Sequence, residues 1–302
     1  MRQRRIVVGA LVLVVLAMGG LAAGAALPIS ESAGVLAIPA LAVQTFLTVG
    51  AIPRREGGIR VGPGLWLLGL HHALVTLPTV AVALVFGVDG ALGFGIFVMA
   101  VAPPAALVPT YADIAEVDVP NVLVFCLVGY GISLVLTPLA LFAAAGTTVG
   151  IGAIALTVSA GLIAPSILAR VLHPWVARVP RRLRRAMVNT TVFLICFGLG
   201  GTLGDSFGSS PVGLPEVALI MVVLIARTFG SGWVAARLAP RALRAEAPFV
   251  GFKNVALAAA VGGTLLGSTA ALPGLMAFPV EAAYFFALAR RSSQAPDGRR
   301  SG

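Results

Sequence analysis

Lysine is almost absent from this chain. Among 302 residues there is one, Lys253. Acidic residues are scarce as well: Asp and Glu number 11 against 21 Lys and Arg, and charged residues make up 11% of the total. A soluble domain carries about a quarter of its residues as charges, so a surface that faces water on all sides is excluded. The two cysteines, Cys126 and Cys196, both fall in apolar runs. They imply no disulfide framework, only small buried side chains. No P-loop and no paired His/Cys metal spacing occurs. The glycine-rich Gly198-Leu199-Gly200 lies inside an apolar run, where a dinucleotide fingerprint does not belong. The expectation is therefore a protein that is not an enzyme and needs no metal or cofactor.

Apolar sequence is abundant. Hydrophobic residues form 59% of the chain and mean hydropathy is +1.01. Runs of about 20 apolar residues, each long enough to cross a ~30 Å hydrocarbon layer, recur from end to end. Hydropathy and turn residues predict an all-α polytopic membrane protein with ten spans: Ile6–Leu27, Gly34–Ile52, Gly64–Phe86, Leu92–Ala112, Val119–Ala143, Val149–Leu172, Ala186–Gly204, Val212–Leu238, Ala247–Gly267 and Ala271–Ala289. The N-terminal Met1-Arg2-Gln3-Arg4-Arg5 followed by Ile6 to Ala26 mimics a signal peptide. Its apolar run is longer than a signal core, so it reads as the first span.

The net charge of +10 invites a nucleic-acid reading, but the distribution of arginine opposes it. With the N-terminus inside, Arg2, Arg4 and Arg5 are cytoplasmic. So are Arg54, Arg55 and Arg60; the cluster Arg178, Arg181, Arg182, Arg184 and Arg185; Arg237, Arg241 and Arg244; and Arg290, Arg291, Arg299 and Arg300. The five outer connections carry no Lys or Arg. That is positive-inside topology, with both termini cytoplasmic, the lipid bilayer as partner and a bacterial inner membrane as the expected location. No nucleic-acid partner is expected. One inner loop is acidic instead, with Asp113, Glu116 and Asp118.

Ten spans divide into two sets of five, residues 1–145 and 146–292, with 293–302 left as a short tail. An odd number per set inverts the second set relative to the first, an architecture of secondary transporters whose sites form where helices break near the midplane. The fourth member of each set is interrupted. Pro103-Pro104 breaks the first, because proline lacks a donor and clashes with the preceding turn. Pro109 and Pro120 extend the irregularity. Gly251-Phe252-Lys253-Asn254 disturbs the second. Lys253 in an apolar helix is a functional-site candidate by its charge alone, as are Arg227 and Glu281, and Glu281 is placed to pair with Lys253 or Arg227. His71 and His72 are adjacent on a helix and point about 100° apart, a poor chelating pair. Gly200 and Gly204 form a small-residue packing face.

Two stretches carry a family resemblance. Val101-Ala102-Pro103-Pro104-Ala105 through Pro109, then Ser133-Leu134-Val135-Leu136-Thr137-Pro138-Leu139, resembles spans four and five of the bile acid:sodium symporter family. Gly251-Phe252-Lys253-Asn254-Val255-Ala256-Leu257-Ala258 resembles that family's span-nine Glu-x-Gly-x-Gln-Asn-x-x-Leu-Ala. The resemblance implies a panel domain and a core domain, crossed broken helices four and nine, and transport of an organic anion with sodium by alternating access. It also places the family's sodium ligands at Val108, Pro109, Val122, Cys126, Phe249 and Lys253. None of these side chains offers the oxygen that sodium needs, and a fixed ammonium repels sodium. The expectation is organic-anion transport without family-type sodium coupling, with Lys253 substituting for the cation. An auxin-efflux-carrier-like transporter and a non-transporting receptor are the rival readings.

Overall fold

The computed structural model describes residues 2–27, 30–51, 61–145, 151–209 and 213–294. Among the described residues every regular element is helical. Arg54, Arg55, Arg60, Arg299 and Arg300 lie outside them.

The elements are α1 (Arg2–Ala26), α2 (Ser30–Gly50), α3 (Val61–Phe86), α4 (Ala91–Val101), α5 (Val108–Ala115), α6 (Val119–Ala145), α7 (residues 151–171), the short α8 (His173–Val176), α9 (Arg181–Ser209), α10 (Leu214–Leu238), α11 (Val255–Leu266) and α12 (Ser268–Gln294). A 3₁₀ turn, Ala247–Gly251, precedes α11. Among the described residues five stretches are long and apolar enough to cross a bilayer: Ile6–Ala26, Val61–Phe86, Val119–Ala144, Leu214–Leu238 and Ser268–Arg291. At 1.5 Å per residue each exceeds the ~30 Å hydrocarbon thickness. The chain is thus an all-α protein with the helices of an integral membrane protein. The last helix runs to Gln294, two residues into the expected tail.

Helix boundaries follow the local chemistry. Pro103 and Pro104 end α4, and α5 restarts at Val108 with Pro109 in its first turn, where a missing N–H costs nothing. Glu116 closes α5 in the left-handed region at φ 57°. Three helices contain a π turn that the apolar pattern does not foretell: His72–Thr76 in α3, Ser159–Ile163 in α7 and Ala226–Gly230 in α10. In the first two a proline, Pro78 or Pro165, stands two residues past the turn. Its absent N–H relaxes the i→i−4 ladder and lets one extra residue into the turn.

Helices α1, α2, α7 and α9 pack chiefly on one another, while α3 packs on α4 and α6, and α4 on α11 and α12. Helix α1 also lies against α12 and so joins the two groups. The expected Gly200–Gly204 face is met at Gly200. Gly200 packs against Gly24 of α1, and a Cβ at either would fall within 2.3 Å of the opposite backbone. Gly20 lies on the same seam, where a Cβ would fall 2.6 Å from the Phe193 carbonyl, so Gly20, Gly24 and Gly200 let α1 and α9 approach. The side chain surroundings of Gly204 lie outside the described residues.

Candidate functional site: a caged ammonium where two helix breaks meet

The two interruptions touch. Pro104 and Lys253 form an isolated antiparallel bridge, and the Asn254 N–H donates to the Pro103 carbonyl at 2.8 Å. A helix end leaves its last carbonyls without intrahelical donors, and several at the end of α4 and in the break after it find partners here. Lys253 Nζ donates to the carbonyls of Ala100 and Ala102, each at 2.8 Å. Thr137 Oγ1 donates to Val101 O at 2.7 Å. Ala105 O accepts from Tyr130 at 3.4 Å. The third proton of the ammonium goes to Thr76 Oγ1 at 2.8 Å. Lys253 is 2% exposed, and its three donors meet three oxygens. The ammonium also sits at the C-terminus of α4, where the helix dipole is negative.

The second break is held by side chains from its neighbours. Glu281 Oε1 on α12 accepts from the Lys253 backbone N–H at 3.1 Å and from Arg227 Nη2 at 2.6 Å. His71 Nδ1 bonds Val250 O at 2.6 Å, and the Tyr284 hydroxyl donates to Pro248 O at 3.0 Å. Asn254 Oδ1 caps α11 by accepting from the Leu257 N–H at 3.0 Å. Of the two partners expected for Glu281, Arg227 makes the ion pair, and Lys253 contacts it through the backbone only. The cluster thus holds two cations and one carboxylate, with the carbonyls of α4 offsetting the surplus charge.

The residues at the positions where the resemblance leads one to expect sodium ligands are buried and, Lys253 apart, apolar or nearly so. Val108, Val122 and Cys126 are fully buried, Pro109 is buried, and Phe249 stacks on Phe252. Cys126 approaches Ala105 O at 4.0 Å, a weak contact. Pro103, Pro104, Gly251 and Asn254 all lie at the junction. Pro104 packs so close to α6 that a Cβ at Gly129 would fall 2.7 Å from its ring. His71 and His72 do not form a chelating pair; each bonds a backbone carbonyl. Among the described residues no cluster of three His, Cys, Asp or Glu is placed to hold a metal.

Sequence reasoning missed Thr76, Thr137 and Gln44. Thr76 ends the α3 π turn, and the proline at 78 was its available signal. Gln44 and Asn254 line a cavity of about 40 Å³ between α1, α2, α9 and the breaks. Gln44 Oε1 and Asn254 Nδ2 are both buried there without a hydrogen-bond partner. On the far side of the junction lies a second cavity of about 350 Å³, bordered by His71, His72, Thr76 and Ser133. Lys253 is the one residue that lines both. Compared with known proteins, the chain matches no protein-family model and no curated protein.

Proposed function

We propose that the chain is a secondary transporter of the bile acid:sodium symporter type, which moves an organic anion by alternating access and carries its cation as Lys253. The observation that supports this most strongly is the ammonium held by three oxygens at the meeting point of two broken helices. In an ion-coupled transporter a soluble cation neutralises such a site and leaves with each cycle. Here the cation is tethered, so the site stays filled without sodium.

Paired features favour two inverted repeats. The fourth segment of each half is broken, at residues 102–107 and at residues 252–254. The third segment of each half, α3 and α10, contains a π turn. These two turns aim Thr76 at Lys253 and Arg227 at Glu281. In this reading α1, α2, α7 and α9 form the panel, and the remaining long helices form the core. The 40 Å³ cavity holds about one water, whose share of liquid volume is ~30 Å³. Rocking of the panel against the core widens it into a substrate site, with the free polar atoms of Gln44 and Asn254 already facing inward.

The test begins with organic anions selected by thermal stabilisation of the purified protein. Counterflow of the labelled anions in proteoliposomes follows, in sodium and in N-methylglucamine. Exchange at the same rate in both media is expected. Exchange that requires sodium contradicts the tethered-cation reading. Absence of exchange by every stabilising anion replaces transport with a receptor role.

A further inference from the structure

The first two turns of α9 carry arginine beside a cavity. Arg181, Arg184 and Arg185, followed by Asn189, are spaced i, i+3, i+4 and i+8, which puts them on one face of the helix. All four line a cavity of about 460 Å³ bordered by α1, α2, α5 and α9. Arg184 and Asn189 are half-buried there, and Arg181 and Arg185 are exposed at its rim. The opposite face carries Leu183 and Met187, which are 54% and 38% exposed. Three guanidiniums, one half-buried and two at the rim, thus form the charged lining of an open polar vestibule.

Charge in this vestibule is unbalanced. Asp113 of α5 is the one acid along the wall, against three arginines. Across from them the hydroxyls of Thr48 and Thr110 bond each other at 3.1 Å and join α2 to α5. Guanidinium groups bind tetrahedral and planar oxyanions through paired, charge-assisted hydrogen bonds. The volume exceeds that of a bare phosphate by several fold, so there is room for an organic body. Leu13 lines both this vestibule and the cavity at Asn254, so the two spaces adjoin.

We propose that this vestibule is an oxyanion-binding site, in which Arg181, Arg184 and Arg185 hold the phosphate- or sulfonate-type head of an organic molecule while its body lies along Val12 and Leu13. The proposed transport function enters only in naming the side as cytoplasmic and the site as the first stop of the transported anion. Two sources share this chemistry: a soluble organic anion and the headgroup of an anionic lipid.

The test is an equilibrium measurement on the full chain in phosphatidylcholine nanodiscs, with inorganic phosphate as probe against chloride at equal ionic strength. Phosphate is expected to raise the unfolding temperature. Arg184→Gln should weaken phosphate about tenfold, the loss of one charge-assisted contact. Asp113→Asn, which removes the opposing carboxylate, should tighten it, so the site can be judged even where Arg184→Gln fails to fold. Arg182→Gln, at a residue that does not line the cavity, should leave the response as it is. The site is refuted where phosphate acts no better than chloride, or where Arg182→Gln weakens it as much as Arg184→Gln. Repeating the titration in phosphatidylglycerol nanodiscs separates the sources. A phosphate response that disappears there identifies the lipid headgroup as occupant, and one that persists identifies a soluble anion; either result supports the site. No transport occurs in a nanodisc, so failure here leaves the counterflow result standing, and failure of counterflow leaves this site standing.

Discussion

The two breaks meet in space and have opposite chemistry. The first is made by prolines and presents oxygen: the carbonyls of Ala100, Ala102 and Pro103 face the junction. The second contains no proline between Phe252 and Asn254 and presents hydrogen: the N–H groups of Lys253 and Asn254, and the Lys253 ammonium. Each break would be an array of unsatisfied buried groups if left alone, which a membrane interior does not tolerate. Together they close each other's account. A broken helix can therefore be stable at membrane depth when its partner breaks with the complementary polarity.

The largest expected effect comes from unbalancing the donor half. Glu281→Ala leaves Arg227 buried without its carboxylate and frees the Lys253 N–H. Removal of one partner from a buried ion pair costs about 3–5 kcal/mol, so a large fall in unfolding temperature is expected in detergent or nanodiscs. A change below ~1 kcal/mol would mean that Arg227 finds other partners. Next is Lys253→Ala, which strips donors from two buried carbonyls and from the part-buried Thr76 hydroxyl. At about 1–3 kcal/mol for each buried group left unmade, the loss should be at least ~2 kcal/mol. A neutral result would show that the acceptor half does not need the donor half.

Asn254→Ala should cost about 1 kcal/mol, the usual value of an N-cap, since it removes the acceptor for the Leu257 N–H. The measured loss should be somewhat reduced, because the variant also removes the unpartnered Nδ2.

Several helix ends were legible in the sequence, but α9 runs five residues past its predicted bounds on each side and α12 five past its predicted end. The positions of both breaks were legible as well. Pro103-Pro104 and the Gly251 to Asn254 run mark them by local chemistry, and Lys253 stands out because charge is rare in apolar helices. Its partners were not legible. Two of the three are backbone carbonyls, which carry no residue identity, and they lie about 150 positions away in the chain. The choice of Glu281 between Arg227 and Lys253 depends on the π turn in α10, which has no proline to announce it. The arginines of α9 were legible as a cluster, but the cavity they line depends on which neighbours α9 meets.

The smallest effect lies outside the membrane. Glu246 is buried just before the 3₁₀ turn, with Oε2 unpartnered. Burial pushes its carboxyl above the usual carboxylate range, with the charge of Asp118 adding to the shift. The folded state therefore holds this proton more tightly than the unfolded state. The corresponding stability is fully present below the unfolded carboxyl range, around pH 4.3, and is lost as pH rises through the folded value. Glu246→Gln should flatten that part of the stability profile, as read from unfolding temperature against pH. An unchanged profile would assign the slope to another group.

Thermal unfolding of the parent and of Lys253→Ala, each in sodium, methylammonium and N-methylglucamine at equal ionic strength, tests the central claim without any knowledge of the substrate. The account predicts that the parent unfolds at the same temperature in all three, because its cage of Thr76, Ala100 and Ala102 oxygens is already filled. It predicts that Lys253→Ala is destabilised and recovers part of the loss in methylammonium, which fits the emptied cage, but not in the bulky N-methylglucamine. Stabilisation of the parent by sodium, or equal behaviour of Lys253→Ala in all three cations, would contradict it.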